Sequence, residues 1–209
     1  MRLRSAPIGV ILAGGPGLRI GGDKAIVELH GEPLIGYPLN AVQEVLGKVA
    51  IAAKSGTKLP PLSSVMVWIE PERPSHPLVG ITQALALAGG RPVLVCAGDL
   101  PFVTPELIQR LVRADPGRAP VVVASAGGRM HPLLGCYRAR ALQLLAGPAR
   151  TGTASLHETI ASIGPVLVEA DDPEELFDVD TPDDLLLATA MLDRRRASAA
   201  ASDQPNVKS

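Results

Sequence analysis

Aromatic residues are nearly missing from this chain, at 2% of its 209 residues. A core must therefore be built from Val, Leu, Ile and Ala. Basic residues interleaved with aromatic stacking platforms, the pattern of a nucleic-acid binder, do not occur. Cysteine is scarce too. Cys96 and Cys136 lie far apart, each inside an apolar stretch. They read as small buried hydrophobes rather than a disulfide framework or a metal pair. Neither sign of charge dominates: the net charge of −1 gives no general pull toward nucleic acid or an anionic membrane. No apolar run is long enough to span a bilayer. Two arginines precede the first apolar run, but that run is too short for a signal peptide and ends in glycines. A cytoplasmic setting is the expectation, with neither a nucleic-acid nor a membrane partner. The four histidines, His30, His76, His131 and His157, stand at no metal-ligand spacing. No Gly-x-Ser-x-Gly elbow points to covalent catalysis.

What is present is 46% apolar residues, a globular composition, and a distinctive opening stretch from Ile8 to Lys24. It starts as a short apolar run, the pattern of a buried parallel strand. It continues as Gly14-Gly15-Pro16-Gly17-Leu18-Arg19-Ile20-Gly21-Gly22-Asp23-Lys24. Glycines let successive N–H groups point into one concavity, and Arg19 and Lys24 would complete a cradle for a polyphosphate. The plain alternative is a glycine-rich turn with solvated charges. A Walker A loop is ruled out because Asp23 follows Gly22 where Lys is needed. A dinucleotide fingerprint is ruled out because Ile20 holds the third glycine position.

Beyond the loop, strand and helix patterns alternate. Strands are predicted at 49–53, 65–69, 92–97, 120–124, 132–137 and 166–168. Helices are predicted at 34–46, 78–88, from Thr104 as N-cap, at 138–145, at 152–163, and after Thr181. No repeat or internal linker divides the chain. The alternation predicts an α/β fold with a mostly parallel sheet and helices on both faces. Ligands of such folds sit beyond the carboxyl ends of the strands. That gathers the glycine loop, Asp99 and Glu70. Asp99 ends a buried strand at Gly98-Asp99-Leu100-Pro101. It reads either as a turn former or as a carboxylate holding Mg²⁺ beside a triphosphate. Asp178 and Asp180 precede the Thr181-Pro182 helix start in extended chain, so both carboxylates should face one side. Two like charges aimed into a site require a cation, which assigns Asp180 with Asp99 to Mg²⁺, and Asp178 to the metal's support or to an acceptor. Residues 1–196 should form one domain, and Ala197 to Ser209, rich in Ala and Ser, should be a disordered tail.

The pattern Leu12-Ala13-Gly14-Gly15-x-x-x-Arg19-x-Gly21-x-Asp23-Lys24 resembles the signature loop of the molybdenum cofactor guanylyltransferase family. The likeness runs from Val10 to about Leu187. It takes in Gly31-Glu32-Pro33-Leu34, Pro77-Leu78-Val79-Gly80, Cys96-Ala97-Gly98-Asp99-Leu100-Pro101, His131-Pro132-Leu133 and Asp178-Val179-Asp180-Thr181-Pro182, in order. It implies a three-layer, Rossmann-like nucleotidyltransferase fold. It also implies GTP and Mg²⁺ as ligands, molybdopterin-bound molybdenum as acceptor, and a molybdenum cofactor delivery protein as partner. By the same likeness, Leu12, Ala13, Gly14 and Gly15 would contact the nucleotide, and Arg19 and Lys24 its phosphates. Asp99 would bind metal, Glu70 would fall near a family Asp, and His131 would face the acceptor. The chain departs from the family pattern in three places. Ala52 replaces an Asn, Ile20 a Met, and the acidic Asp178–Asp180 form resembles the related cytidylyltransferases. The base therefore stays open between guanine and cytosine, and a non-catalytic nucleotide-binding module is the reading from another class.

Overall fold

The computed structural model of the chain describes residues 6–15, 24–62 and 65–202. The strands are β1 (Ile8–Leu12), β2 (Glu28–Leu29), β3 (Glu32–Pro33), β4 (Val49–Ala53), β5 (Met66–Ile69), β6 (Val93–Ala97), β7 (Val121–Ala126), β8 (Arg129–Tyr137) and β9 (Val166–Glu169). The helices are α1 (Gly36–Val45), α2 (Pro77–Leu87), α3 (Pro105–Arg113), α4 (Ala141–Thr151), α5 (Leu156–Ser162) and α6 (Pro182–Ser202). Short 3₁₀ turns stand at Lys24–Ile26 and Pro173–Leu176.

Seven strands form one sheet in the order β5-β4-β1-β6-β8-β7-β9, and β2 pairs with β3 in a small hairpin. The pairs β4–β5, β1–β4, β1–β6 and β7–β9 are parallel. Only β8 runs antiparallel to its neighbours, β6 and β7. The central parallel strands β1, β4 and β6 are apolar on both faces because both faces are covered, whereas the edge strands β5 and β9 leave Met66, Val67, Ile69 and Leu167 exposed. One core joins Ile11, Ile51, Leu94 and Cys96 to α1 and α3, through residues such as Leu39, Val42, Leu107 and Leu111. The other joins Val10, Val93, Val95 and Tyr137 to α2, α4 and α5. A third, smaller cluster fastens α6 to the hairpin through Leu29, Leu34, Phe102, Val179 and Ala188. Both cysteines are free and buried, and burial pushes the Cys136 thiol up to about 11.

Helix starts follow local chemistry. Thr104 Oγ1 accepts from the Leu107 amide at 3.2 Å, with Pro105 behind it in the first turn. Thr181 and Asp184 cap α6 reciprocally. Asp184 Oδ2 accepts from the Thr181 amide at 2.8 Å, and the Asp184 amide donates to Thr181 Oγ1 at 3.2 Å. Several boundaries differ from the sequence reading: β8 begins at Arg129 rather than at residue 132, and α4 runs over Ala141–Thr151 rather than 138–145. Residues 152–155 are not helical. Gly152 adopts φ +64 and ends α4, and α5 starts afresh on Ser155. A Cβ on Gly152 would lie 2.6 Å from the Pro74 Cβ, so α4 meets the 71–76 loop closely there. Another difference is at the C-terminal end. The helix continues to Ser202, through the start of the segment expected to be disordered. An Ala-rich stretch is low in complexity but is also the best helix former.

The β8 strand is where the sheet bends toward the site. Val123 pairs with Gly135, yet the next residue, Ala124, pairs with His131, so residues 132–134 make an irregularity against β7. Pro132 is tolerated there because it lies in that irregularity. The Tyr137 hydroxyl donates to the Pro132 carbonyl at 2.6 Å and holds the bend. On its other side, Gly135 is pressed to the sheet: a Cβ would stand 2.7 Å from the Val122 carbonyl oxygen and 2.9 Å from Val123 Cγ1. Because the first of these neighbours is backbone, Gly135→Ala should destabilise the fold by about 1–3 kcal/mol, as overpacking does. A urea melt in which the variant's midpoint equals the native one would show that β8 has slack at Gly135.

Candidate active site

β1 and β6 lie side by side at the centre of the sheet, and the chain leaves them in opposite directions across it. β4 and β5 continue on the β1 side, β8 and β7 on the β6 side. The crevice beyond their carboxyl ends is therefore a topological switch point. Here the Gly98 amide donates to the Leu12 carbonyl at 3.0 Å, and the Ala13 amide to the Ala52 carbonyl at 2.8 Å. The two strand ends are thus tied together, and Gly14 and Gly15 follow closely after β1. A cavity of about 640 Å³ opens at this point, and a second of about 200 Å³ adjoins it, with Leu12, Gly15 and Asp99 lining both.

The larger cavity is built around one ammonium group. Lys24 Nζ donates to Asp99 Oδ2 at 2.6 Å and also to Asp180 Oδ1. Asp178 lines the same cavity, so the two acids flanking Val179 do face one side. Val179 itself is buried, and its amide donates to the Asp99 carbonyl at 3.0 Å, which fixes the segment against the end of β6. Burial alone would lower the Lys24 ammonium, but Asp99 and Asp180 outweigh it and hold its pKa above the ordinary value. Burial, with Asp178 and Asp180 nearby, pushes the Asp99 carboxyl up, and Lys24 pulls it only part of the way back. Asp99, Asp178 and Asp180 thus bring three carboxylates to one corner, and Lys24 is shared by two of them. Arg19 and Asp23, the other charged residues of the loop, lie outside the described residues.

The opposite wall carries His131, with Arg129 and His157. Burial, Arg129 and His157 depress the His131 pKa against a smaller pull from Asp178, so the imidazole is held neutral. Neither Arg129 nor His157 stands out in the sequence. The β8 irregularity brings the first into the site, and the packing of α5 beside β8 brings the second. His76 does have a sequence signal, as the residue before a helix-starting proline. Its Nδ1 accepts from the Leu78 amide at 3.2 Å and caps α2.

Glu70 belongs to the smaller cavity, with Gly14 and Gly15. It is 8% exposed, its amide donates to the Ala53 carbonyl at 2.9 Å, and its side chain folds back over the glycine loop. A Cβ on Gly14 would lie 1.4 Å from Glu70 Oε1, and one on Gly80 2.7 Å from Oε2. Glycine at both positions makes room for this carboxylate. Burial raises the Glu70 pKa, with Lys54 opposing.

The comparisons with known proteins agree with this geometry. The profile of the MobA-like NTP transferase domain matches residues 9–166. The chain belongs to that family. A molybdenum cofactor guanylyltransferase of Cereibacter sphaeroides is 34% identical over 88% of this chain and 96% of its own length. One of Rhizobium leguminosarum bv. trifolii is 31% identical, over 93% and 97%. Among solved structures, a protein of Aquifex aeolicus superposes with a TM-score of 0.71 at 26% identity, covering 86% of this chain and 96% of its own. Molybdopterin-guanine dinucleotide biosynthesis protein A of Archaeoglobus fulgidus shares the fold, with a TM-score of 0.73 at 23% identity over 89% and 98%. This member of the MobA-like family is thus a nucleotidyltransferase. Among the described residues no helix is long and apolar enough to cross a membrane.

The burial of Glu70 sets a test of stability against pH. Its folded pKa lies above the unfolded value near 4.5. The folded state therefore holds the proton more tightly, and stability is lost as pH rises from about 4.5 through the folded pKa. Glu70→Gln removes that loss. The variant should melt above the native chain at pH 7, and the difference should close as pH falls below about 4.5. Equal melting temperatures at pH 7 would mean that the carboxylate's burial carries no cost.

Proposed function

We propose that this enzyme transfers GMP from GTP to the phosphate of molybdopterin-bound molybdenum cofactor and releases pyrophosphate. The observation that carries the guanine assignment is the buried Glu70 carboxylate in the smaller cavity. Guanine presents two adjacent donors, N1–H and the 2-amino group, which one carboxylate accepts together. Cytosine presents one donor, the 4-amino group, with the N3 and O2 acceptors beside it, so a carboxylate gains at most one bond there and meets a repelling lone pair. The acceptor assignment rests on the curated relatives, which carry the name molybdenum cofactor guanylyltransferase.

With guanine beside Glu70, the phosphates run past Leu12, Ala13, Gly14 and Gly15 toward Lys24 and Asp99. An acceptor phosphate oxygen attacks the α-phosphorus, a new P–O bond forms, and the bond to the β-phosphate oxygen breaks. The nucleophile is already an anion near neutral pH, because the second pKa of a phosphate monoester is about 6. No side chain need remove a proton. The work left to the protein is positioning and charge. Lys24 meets the charge gathering on the phosphates, and the loop's Arg19, by its sequence position, is assigned the same task. Arg129 and neutral His131, across the cavity, offer donors to the incoming acceptor phosphate, and Asp178 orients them.

Asp99 and Asp180 suit Mg²⁺. Both are hard oxygen donors, and both converge on one point, the Lys24 ammonium. Mg²⁺ at substrate phosphates is held by one or two carboxylates rather than by a protein cage. The ion would supply positive charge to the α-phosphate oxygens as their charge grows.

The deciding experiment offers the enzyme Mg²⁺, molybdenum-bound molybdopterin and either GTP or CTP, and follows pyrophosphate release. Turnover with GTP is expected, and a preference for CTP would transfer the protein to the cytidylyl class. For the metal, Asp180→Asn should raise the Mg²⁺ concentration for half-maximal rate by about tenfold or more, a loss seen even for groups that only support a ligand. Nucleotide affinity without Mg²⁺ should not fall. An unchanged Mg²⁺ titration would remove Asp180 from the metal site.

A further inference from the structure

We propose that Lys54 reads the O6 edge of the bound guanine, and that Lys54 and Glu70 act as a donor–acceptor pair selecting the base. This rests on the guanine reading above. Lys54 and Glu70 line the same small cavity at the ends of neighbouring strands, β4 and β5. The last two residues of β4, Ala52 and Ala53, are buried and offer no polar side chain, so Lys54 is the first polar group that β4 delivers to the cavity.

Its backbone is held from both sides by Thr57. The Thr57 amide donates to the Lys54 carbonyl at 3.1 Å, and the Lys54 amide donates to Thr57 Oγ1 at 3.2 Å. Its side chain is directed as well. Nζ donates to Ser75 Oγ at 2.9 Å, and Ser75 lines the cavity beside Pro74. An ammonium carries three donors, so the Ser75 contact leaves two for a ligand. The Lys54 charge is also felt at the Glu70 carboxyl, opposing the effect of burial there.

A cation and a carboxylate side by side form a dipole, and purine edges differ in theirs. Guanine sets the O6 acceptor next to the N1–H and 2-amino donors, which matches Lys54 next to Glu70. Adenine reverses the order: its 6-amino donor would face Lys54, and its N1 lone pair would face Glu70. Both contacts are then repulsive, and specificity arises from rejection as much as from attraction. A lysine whose only partner is the Ser75 hydroxyl would discriminate nothing, and one that reached the phosphates would treat every nucleotide alike.

The test compares GTP, its 6-thio analogue and CTP, each with Mg²⁺, by calorimetric titration of the native chain and of Lys54→Met and Lys54→Gln. Sulfur is a poor acceptor, so the native chain should bind 6-thio-GTP about 10- to 100-fold more weakly than GTP, the worth of a hydrogen bond to a charged group. Lys54→Met should lose that factor for GTP and bind the two nucleotides equally. Lys54→Gln, which keeps a donor, should fall between. Unchanged GTP affinity in Lys54→Met, or an equal loss for all three nucleotides, overturns the assignment of Lys54 while guanine selection itself stands. Tighter binding of CTP than of GTP by the native chain overturns the guanine reading first, and the role of Lys54 with it.

Discussion

The contact on which the site depends is the sharing of one ammonium between two carboxylates. Lys24 ends the glycine loop, Asp99 ends β6, 75 residues on, and Asp180 precedes α6, 156 residues on. None of these segments is a neighbour of another in sequence, and each is irregular at that point. A partly buried ion pair of this kind is weak as net stabilisation, because desolvation offsets much of the attraction. Removal of one partner leaves an uncompensated charge and is costly. Its value lies in register: three loops are brought to one place with a defined polarity. The backbone bond from Val179 to the Asp99 carbonyl does the same work without charge. The α6 helix is thereby coupled to the site, and its end is held further by Arg195, which pairs with Asp172 at 2.9 Å and stacks over the Phe102 ring at 4.7 Å.

Around this contact, backbone decides what side chains can reach. Gly14 and Gly80 are glycines because the Glu70 carboxylate occupies the space their Cβ atoms would need. Gly98 is under similar pressure, since a Cβ there would stand 3.1 Å from the Leu12 carbonyl oxygen. The β8 irregularity is a comparable device on the other wall. By skipping residues 132–134 against β7, it places His131 opposite Ala124 rather than further along the strand. Bulges near active sites commonly re-aim a side chain in this way.

How much of this is legible in the sequence depends on whether the signal is local. The strand–loop–helix alternation, the apolar parallel strands, the Thr104 and Thr181 caps and the buried cysteines all rest on adjacent residues, and the structure has them. Asp99 and the same-side placement of Asp178 and Asp180 are local as well, because a strand end and a two-residue spacing suffice. The contacts of Glu70 with Gly14, of Lys24 with Asp180, and of Lys54 with Ser75 are not local. They depend on which strands become neighbours, and one β-strand order differs from another by no residue-level pattern. Arg129 and His157 were illegible for the same reason: the first needs the bend in β8, the second the docking of α5. The helical start of the segment after residue 196 was illegible for another reason, since one composition supports both a low-complexity tail and an Ala-rich helix.

The carboxyl ends of β4 and β5 carry Lys54 and Glu70, to which the proposed function gives the base, and the carboxyl end of β6 carries Asp99, to which it gives the phosphates. A cytidylyltransferase of Thermus thermophilus, acting by its name on 2-C-methyl-D-erythritol 4-phosphate, superposes with a TM-score of 0.66 at 21% identity. That likeness is one of fold alone, and the fold therefore does not select the base. On the proposed reading, selection falls to the few side chains at the ends of β4 and β5, where this chain has Ala52 and Ala53 without polar reach, and Lys54 beside a buried Glu70. A carboxylate kept from water is costly unless a ligand repays it with donors. Its retention at a glycine-lined opening is the physical reason to read this side of the sheet as the place where guanine is recognised.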